Sequence, residues 1–390
     1  MAAADRPDPA PDDADRELPD RAALRGPRRA LLRWFDAHRR DLPWRGSRDP
    51  WAVLVSEIML QQTTVAAVTP YYERFLERWP TAADLAAAPT DELLAAWAGL
   101  GYYRRARNLQ AAARELAARP RGDAEGLREL PGVGEYTAAA VASITFDEPV
   151  AAVDGNVERV VSRLAALPGD PRKAAGKRAV RAVAEALLDR RRPGDFNQAV
   201  MDLGSGVCRP REPRCEACPL ASACAAHAAG RETDFPRLPP RPEPTPVVRL
   251  AALVSARGKV LARLRDEAPN EGFLELPSVD LPAPLAAGLA AGKGPAAPEA
   301  VRAELDRLVE ALRRDHGLEL RPGAALPVHR HTITRYRIQV HPFVGTLSSG
   351  RVRPPLRWVG GAPDQPFTTA TRRILARDLP DLFTATTDGR

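Results

Sequence analysis

Leu130-Pro131-Gly132-Val133-Gly134-Glu135-Tyr136, LPGVGEY at residues 130–136, carries the chain into a helical pattern that starts near Glu135. Two glycines flanking one residue permit a tight turn with backbone N–H groups exposed at a helix N-terminus, a device for holding phosphate. An ordinary glycine-rich helix connection has the same look. Outward from this turn the pattern is helical on both sides. Arg28–His38 is amphipathic, and Asp49-Pro50 opens the apolar run WAVLVSEIMLQQTTVAAV at 51–68 with a cap and a residue favoured in the first turn. Further helical patterns cover 82–88, 91–98, 104–118, 135–145, 155–166, 173–190 and 196–204. Strand alternation is nearly absent, so this half of the chain reads as all-α.

All four cysteines fall within CRPREPRCEACPLASAC at 208–224, as Cys208, Cys215, Cys218 and Cys224, a C-x6-C-x2-C-x5-C spacing. Four thiolates on so short a segment can ligate one [4Fe–4S] cluster. The common zinc pattern has two C-x2-C pairs, and here only Cys215 and Cys218 form one. A disulfide framework belongs to small secreted chains, whereas this chain is long and lacks the apolar region of a signal peptide. The spacing also differs from the ferredoxin run, which suggests a structural cluster.

At 390 residues two domains are expected, and an apolar content of 44% is ample for packed cores. The net charge is +7, unevenly spread: residues 1–20 hold seven acidic residues against Arg6 and Arg16, a net −5, which leaves +12 for the remainder. Such a balance suggests a polyanionic partner such as nucleic acid, although abundant arginine, alanine and proline also reflect a compositional bias. Residues 1–26 read as a disordered tail. No apolar run is long enough to span a membrane, so a soluble, cytoplasmic monomer is expected.

From Phe235 to Pro246 six of twelve residues are proline. Such a stretch suits neither a helix nor a central strand, and 231–246 reads as an extended linker. Beyond it VVRLAALVSA, KVLARLR, YRIQVHPFVGTL and LRWV have strand character, with a helix at Pro298–Asp315. Residues 247–385 therefore read as an α+β domain following a helical domain at 27–230, with 282–298 as an insertion or flexible loop.

Two carboxylates stand out. Glu57 lies inside VLVSEIML, where burial would raise its pKa from about 4.3 toward the neutral range that a general acid needs. A surface glutamate on the helix's polar edge is the other reading. Asp154, in Val153-Asp154-Gly155-Asn156-Val157, stands at a helix start, where it can also be a simple N-cap.

Together the hairpin, the aspartate some twenty residues later and the four-cysteine loop resemble the helix-hairpin-helix DNA glycosylases with an iron–sulfur cluster, the endonuclease III superfamily. Leu42-Pro43-Trp44-Arg45, Ser56-Glu57-Ile58-Met59-Leu60-Gln61-Gln62-Thr63, Gly99-Leu100-Gly101-Tyr102-Tyr103 and Phe196-Asn197-Gln198-Ala199 resemble, within it, the A/G-specific adenine glycosylases (the MutY family). The resemblance is dense over 28–225 and looser beyond.

What the resemblance implies is a base-excision-repair enzyme. It would hydrolyse the N-glycosidic bond of adenine opposite 8-oxoguanine or guanine in double-stranded DNA and leave an abasic site. Glu57 then falls where the family's general acid protonates adenine, and Asp154 where a carboxylate stabilises the cationic sugar. Tyr136 and Asn156 match neighbours of that site. Trp44 and Arg45 match residues near the flipped base, and Gln62 and Tyr102 match residues inserted into the stack. Leu130, Gly132 and Gly134 form the DNA-binding hairpin, and the four cysteines match the cluster ligands. Tyr136 stands where the bifunctional relatives carry a lysine nucleophile, so a monofunctional enzyme is expected. Thymine glycosylases acting on G·T mismatches share that tyrosine and are the nearest alternative; an inactive iron–sulfur DNA-binding protein is the other.

The C-terminal domain resembles the Nudix-like domain that reads 8-oxoguanine in the same family. Gly272-Phe273-Leu274-Glu275-Leu276-Pro277 and Glu310–Leu318 look like altered Nudix segments without the acidic cluster for Mg²⁺. Where the family often has Phe-Ser-His to read the lesion, Ile333-Thr334-Arg335 stands here. Thr334 and Arg335 then become the candidate lesion contacts.

Overall fold

Asp49 opens α2 (Pro50–Leu60), its carboxylate accepting the Trp51 N–H at 3.0 Å with Pro50 in the first turn. Every residue from Trp51 to Met59 is buried, Glu57 and Ser56 included. Each large apolar side chain so buried contributes ~1.5–3 kcal/mol. The computed structural model describes residues 18–97, 99–240, 242–266, 272–283, 286, 298–333, 335–360 and 365–380. The chain divides into two units, Met1–Pro240 and Arg241–Arg390.

In the first unit the other helices are α1 (Arg25–His38), α3 (Val65–Arg78), α4 (Ala82–Ala87), α5 (Thr90–Ala96), α6 (Arg104–Ala118), α7 (Ala124–Arg128), α8 (Glu135–Thr145), α9 (Gly155–Leu164), α10 (Ala174–Leu187) and α11 (Pro193–Gly206). They form two cores. One gathers α2 to α8 around Leu54, Val55, Met59, Trp97 and Leu109. The other gathers α1, α9, α10 and α11 around Leu31, Phe35, Val161, Leu187 and Leu203. Helix α11 packs on both α8 and α9, so the two cores meet there.

Three boundaries differ from the sequence reading. The apolar run at 51–68 is two helices. Gln62 adopts φ +56°, and Thr64 caps α3 by accepting the Ala67 N–H. Arg105 reaches in from α6 to take up the carbonyls at the end of α2, donating to Ile58 O at 3.0 Å and Met59 O at 2.8 Å. Second, the stretch read as tail is partly docked. Leu24 is buried, and Arg28 in the first turn of α1 donates to Ala186 O and Leu187 O. Residues 1–17 lie outside the described residues. Third, the linker is shorter than 231–246. Glu232–Asp234 is a 3-10 turn, and Phe235 is buried against Ala166 and Ala226 with its carbonyl held by Arg163 Nε at 3.1 Å. At the far end Pro246 already pairs with Arg337. Among the described residues the strand has a single neighbour at that position, the edge setting a proline tolerates. The short helix α7, capped by Asp123 on the Gly126 N–H, has too few residues to show a period.

The second unit is α+β, as expected. Its strands are β1 (Thr245–Ala256), β2 (Lys259–Leu264), β3 (Leu274–Glu275), β4 (Ser278–Asp280), β5 (Glu319–Ala325), β6 (His329–Ile333), β7 (Tyr336–Ser349) and β8 (Leu356–Gly360). The mixed sheet runs β3-β2-β1-β7-β5, with β1 and β7 parallel. Successive residues of β1 face opposite sides. Val248, Leu250, Ala252 and Val254 pack with Leu308 and Leu312 of the helix Pro298–His316, and Ala251 and Leu253 with Ile374 and Leu375 of the helix Thr369–Asp378. The sequence reading missed β3 to β6: β3 is two residues long, and β5 carries Arg321-Pro322-Gly323 in its middle. The insertion read at 282–298 lies mostly outside the described residues.

Candidate active site

A pocket opens where α2, α8 and α11 approach one another, lined by Trp44, Arg45, Glu57, Tyr136, Gln198 and Met201 among others. Glu57 is 8% exposed. Burial pushes its carboxyl up to about 7, and the charge of Asp154 adds to the effect. A hydrogen bond from Tyr136 and the Arg45 charge pull the other way. A carboxyl so placed carries a proton near neutral pH, the condition for a general acid.

Tyr136 sits in the first turn of α8, one residue after Glu135. Its hydroxyl stands 3.5 Å from Met201 Sδ, and burial drives its pKa well above the ordinary value. It is therefore a neutral donor beside Glu57. Asp154 is indeed the N-cap of α9: Oδ1 accepts the N–H groups of Asn156 at 2.9 Å and Val157 at 2.7 Å. The Asn156 side-chain amide donates to Oδ2 at 2.9 Å. Capping holds the carboxylate rigid, and its charge is felt at both Glu57 and Tyr136. Asn156 in turn accepts from Arg159 Nη2 at 2.9 Å, and Arg159 also donates to Gly204 O and Cys208 O. A Cβ on Gly204 would lie 2.7 Å from Asn156 Cβ, so α11 and α9 meet there only because residue 204 has no side chain.

Asn197, from the motif Phe196-Asn197-Gln198-Ala199, is buried and braces the segment that delivers Asp154. Its amide donates to Ser143 Oγ and Val150 O, and its oxygen accepts the Ala152 N–H. Trp44 is buried against Tyr72, ring centroids 5.4 Å apart. Arg45 lies over the Phe35 ring and pairs with Asp202 at 2.8 Å. Asp202 was missed by the sequence reading. Its Oδ1 takes both Arg40 and Arg45, while Asp202 Oδ2 and Arg45 Nη1 are buried without partners among the described residues. The one signal in the sequence was an acid among the apolar residues of α11.

Outside the pocket, Tyr102 (φ +49°) is 52% exposed and Gln62 is exposed, while Tyr103 packs on the core. In the hairpin, Gly132 adopts φ +78° with Asn108 close beneath it, so this glycine is required. Gly134 is the N-cap of α8 in ordinary extended geometry. Leu130 anchors the hairpin: its side chain is buried in the core, its N–H donates to Leu127 O and its carbonyl accepts the Val133 N–H.

The four cysteines form no disulfide and lie on a loop with two 3-10 turns, Cys215–Ala217 and Ala221–Ala223. Cys208, Cys218 and Cys224 pack against the second core. Arg163 Nη1 donates to Cys208 Sγ at 3.3 Å. Burial, then the Glu232 carboxylate and the neighbouring thiols, push Cys215 up to about 12, and burial with the neighbouring thiols pushes Cys218 up to about 11. An all-sulfur donor set, crowded enough for the thiols to repel as anions and supplied with an N–H···S bond, fits a cationic cluster. Within single-ion reach, 4.8 Å, the described residues gather only Cys215, His227 and Glu232. A cluster of several irons is larger than one ion and takes its ligands from farther apart.

In the second unit Arg335 lies over the Tyr336 ring and donates to its hydroxyl at 3.0 Å. Thr334 lies outside the described residues. Glu275, in the altered Nudix segment, is buried between Arg265 at 2.9 Å and Arg249 at 3.5 Å.

Residues 55–186 match the family described as HhH-GPD superfamily base excision DNA repair protein. The chain is 47% identical over 229 residues to a protein of Rattus norvegicus named adenine DNA glycosylase, a match that covers 55% of this chain and 44% of that protein. It is 44% identical over 212 residues to an adenine DNA glycosylase of Mycolicibacterium smegmatis, covering 53% of this chain and 70% of that protein. The chain thus spans less than half the length of the mammalian relatives it matches. A solved thermostable thymine-DNA glycosylase is 29% identical, covering 53% of this chain and 98% of that one, with a TM-score of 0.49.

Proposed function

Because the chain belongs to the adenine DNA glycosylase family of the HhH-GPD superfamily, we propose that it removes adenine from duplex DNA where adenine stands opposite 8-oxoguanine or guanine. The observation that carries this reading is the buried Glu57 carboxyl on the pocket wall, pushed up to about 7 by burial and feeling the charge of the capped Asp154.

A base within the duplex is out of reach and has to be flipped into the pocket. Adenine leaves poorly as an anion, so Glu57 gives its proton to a ring nitrogen as the C1′–N9 bond breaks and the bonding pair passes to the base. Asp154 stabilises the positive charge left on the sugar. Water then adds at C1′, its proton returns to Glu57, and adenine and an abasic site result. With tyrosine at residue 136, no amine attacks the sugar at that point.

Cys208, Cys215, Cys218 and Cys224 would hold a [4Fe–4S] cluster in this reading, closing the 208–224 loop on itself, while Arg159 and Arg163 tie that loop to α9. The second unit, of Nudix-like kind, reads the base opposite adenine, with Thr334 and Arg335 as its candidate contacts.

The deciding experiment presents duplexes carrying adenine opposite 8-oxoguanine, adenine opposite guanine, and thymine opposite guanine, scored for strand breaks with and without alkali. Alkali-dependent breaks at adenine support the reading. Release of thymine alone replaces it with the G·T activity, and no release from any duplex leaves a DNA-binding protein.

A further inference from the structure

We infer that Arg105 is a positioning residue for base unstacking, holding the Gln62 and Tyr102 loops in one fixed arrangement; this rests on the DNA-glycosylase reading above. Arg105 comes from α6 and is 9% exposed. The four N–H groups on its two terminal nitrogens are shared among six acceptors, two carbonyls at the end of α2 and four groups on the loops after α2 and before α6. Nη1 takes Ile58 O, Met59 O and Gln61 O, and Nη2 takes Thr63 Oγ1 at 3.0 Å, Leu100 O at 3.1 Å and Gly101 O at 3.2 Å. The guanidinium also lies against the rings of Trp97 and Tyr102, at 5.7 and 5.2 Å. Gln62 sits between two of these anchored residues and Tyr102 directly after a third, and both are non-glycine residues in the left-handed region. That conformation is costly for either side chain and persists only where its surroundings fix it.

Arg28 and Arg163 also hold backbone carbonyls, and what sets Arg105 apart is that the groups it holds flank two exposed residues in the left-handed region. No acid pairs with Arg105 among the described residues, and its Nε is buried without a partner. Its charge is balanced by carbonyl dipoles, including those at the C-terminal end of α2. An arrangement that expensive is explained if it keeps two exposed side chains at a set separation, so that they enter a base stack together. Lysine has a point charge and no fork, and cannot bridge both loops.

The test uses the intact chain and a duplex with 2-aminopurine next to the target adenine, whose fluorescence rises when the base unstacks. Anisotropy scores binding to the same duplex. Arg105→Gln and Arg105→Lys should each lower the rise by about tenfold while still binding. Thr63→Val, which removes one partner of the guanidinium and leaves the core alone, should give a smaller loss. Variants that unstack the base as the wild type does overturn the inference, as does a wild type that binds without unstacking. If Arg105→Gln fails to fold, Thr63→Val decides: a partial loss at unchanged melting temperature supports the inference, and wild-type behaviour overturns it. Adenine release is scored separately, so unstacking without release counts against the excision reading and not against Arg105.

Discussion

The Asn156 side chain donates to Asp154 Oδ2 at 2.9 Å while its own oxygen accepts from Arg159 at 2.9 Å, so the carboxylate at the head of α9 is fixed from behind by a chain of hydrogen bonds. Asp154 thereby has two separable duties, capping a helix and presenting a charge. Serine caps nearly as well as aspartate. Asp154→Ser is expected to change stability by no more than ~1 kcal/mol and to lower single-turnover excision by ~10²-fold or more. Thermal melting and excision measured on one preparation check both halves.

Glu57→Gln keeps the shape of the acid without its proton. Excision is expected to fall by ~10²–10⁴-fold with duplex binding retained. The wild-type rate should fall as pH rises through about 7, where Glu57 loses its proton. Stability follows the same group. Its folded pKa of about 7 lies above the ordinary 4.5, so its contribution is full below pH 4.5 and is lost as pH rises through about 7. Glu57→Gln should therefore melt above the wild type at pH 8, by up to ~3 kcal/mol, and close to it at pH 5. Equal melting at both pH values would remove the burial argument.

Tyr136 holds the Glu57 carboxyl down by a hydrogen bond. Tyr136→Phe removes that bond, so the alkaline limb of the pH–rate profile should move to higher pH. With no amine at residue 136, borohydride should trap little covalent complex, and strand breaks should need alkali. Strong nicking without alkali would contradict the monofunctional reading.

Protein purified without oxygen should be brown and hold about four irons per chain. Stoichiometric zinc in place of iron would overturn the cluster assignment.

A chain ending at Pro240 keeps Phe235 seated and its carbonyl on Arg163. It should still release adenine while losing much of its preference for 8-oxoguanine over guanine opposite, worth ~1–3 kcal/mol per lost base contact. An unchanged ratio of single-turnover rates on the two duplexes would assign lesion reading to the first unit.

Local chemistry made part of this molecule legible. Asp49-Pro50 marks the start of α2, and the apolar neighbours of Glu57 announce its burial, because both signals lie within one turn of the residue concerned. The end of α2 was not legible. The apolar pattern continues through Val65 and Val68, and what stops the helix is a guanidinium from a residue more than forty positions away. Asp202 was hidden for a like reason, since its meaning lies in Arg40 and Arg45, which only the fold brings to it. Phe235 looked like linker because prolines follow it, and its burial depends on Ala166 and Ala226.

Gly204 has a genetic consequence. Any other amino acid at this codon adds a Cβ 2.7 Å from the Cβ of Asn156, which cannot swing aside as the tip of a longer side chain would. No missense change is conservative there, alanine and serine included. Each would prise apart the crossing that carries Asn156, so a residue with no side chain, remote from any proton transfer, belongs among the most intolerant positions in the gene.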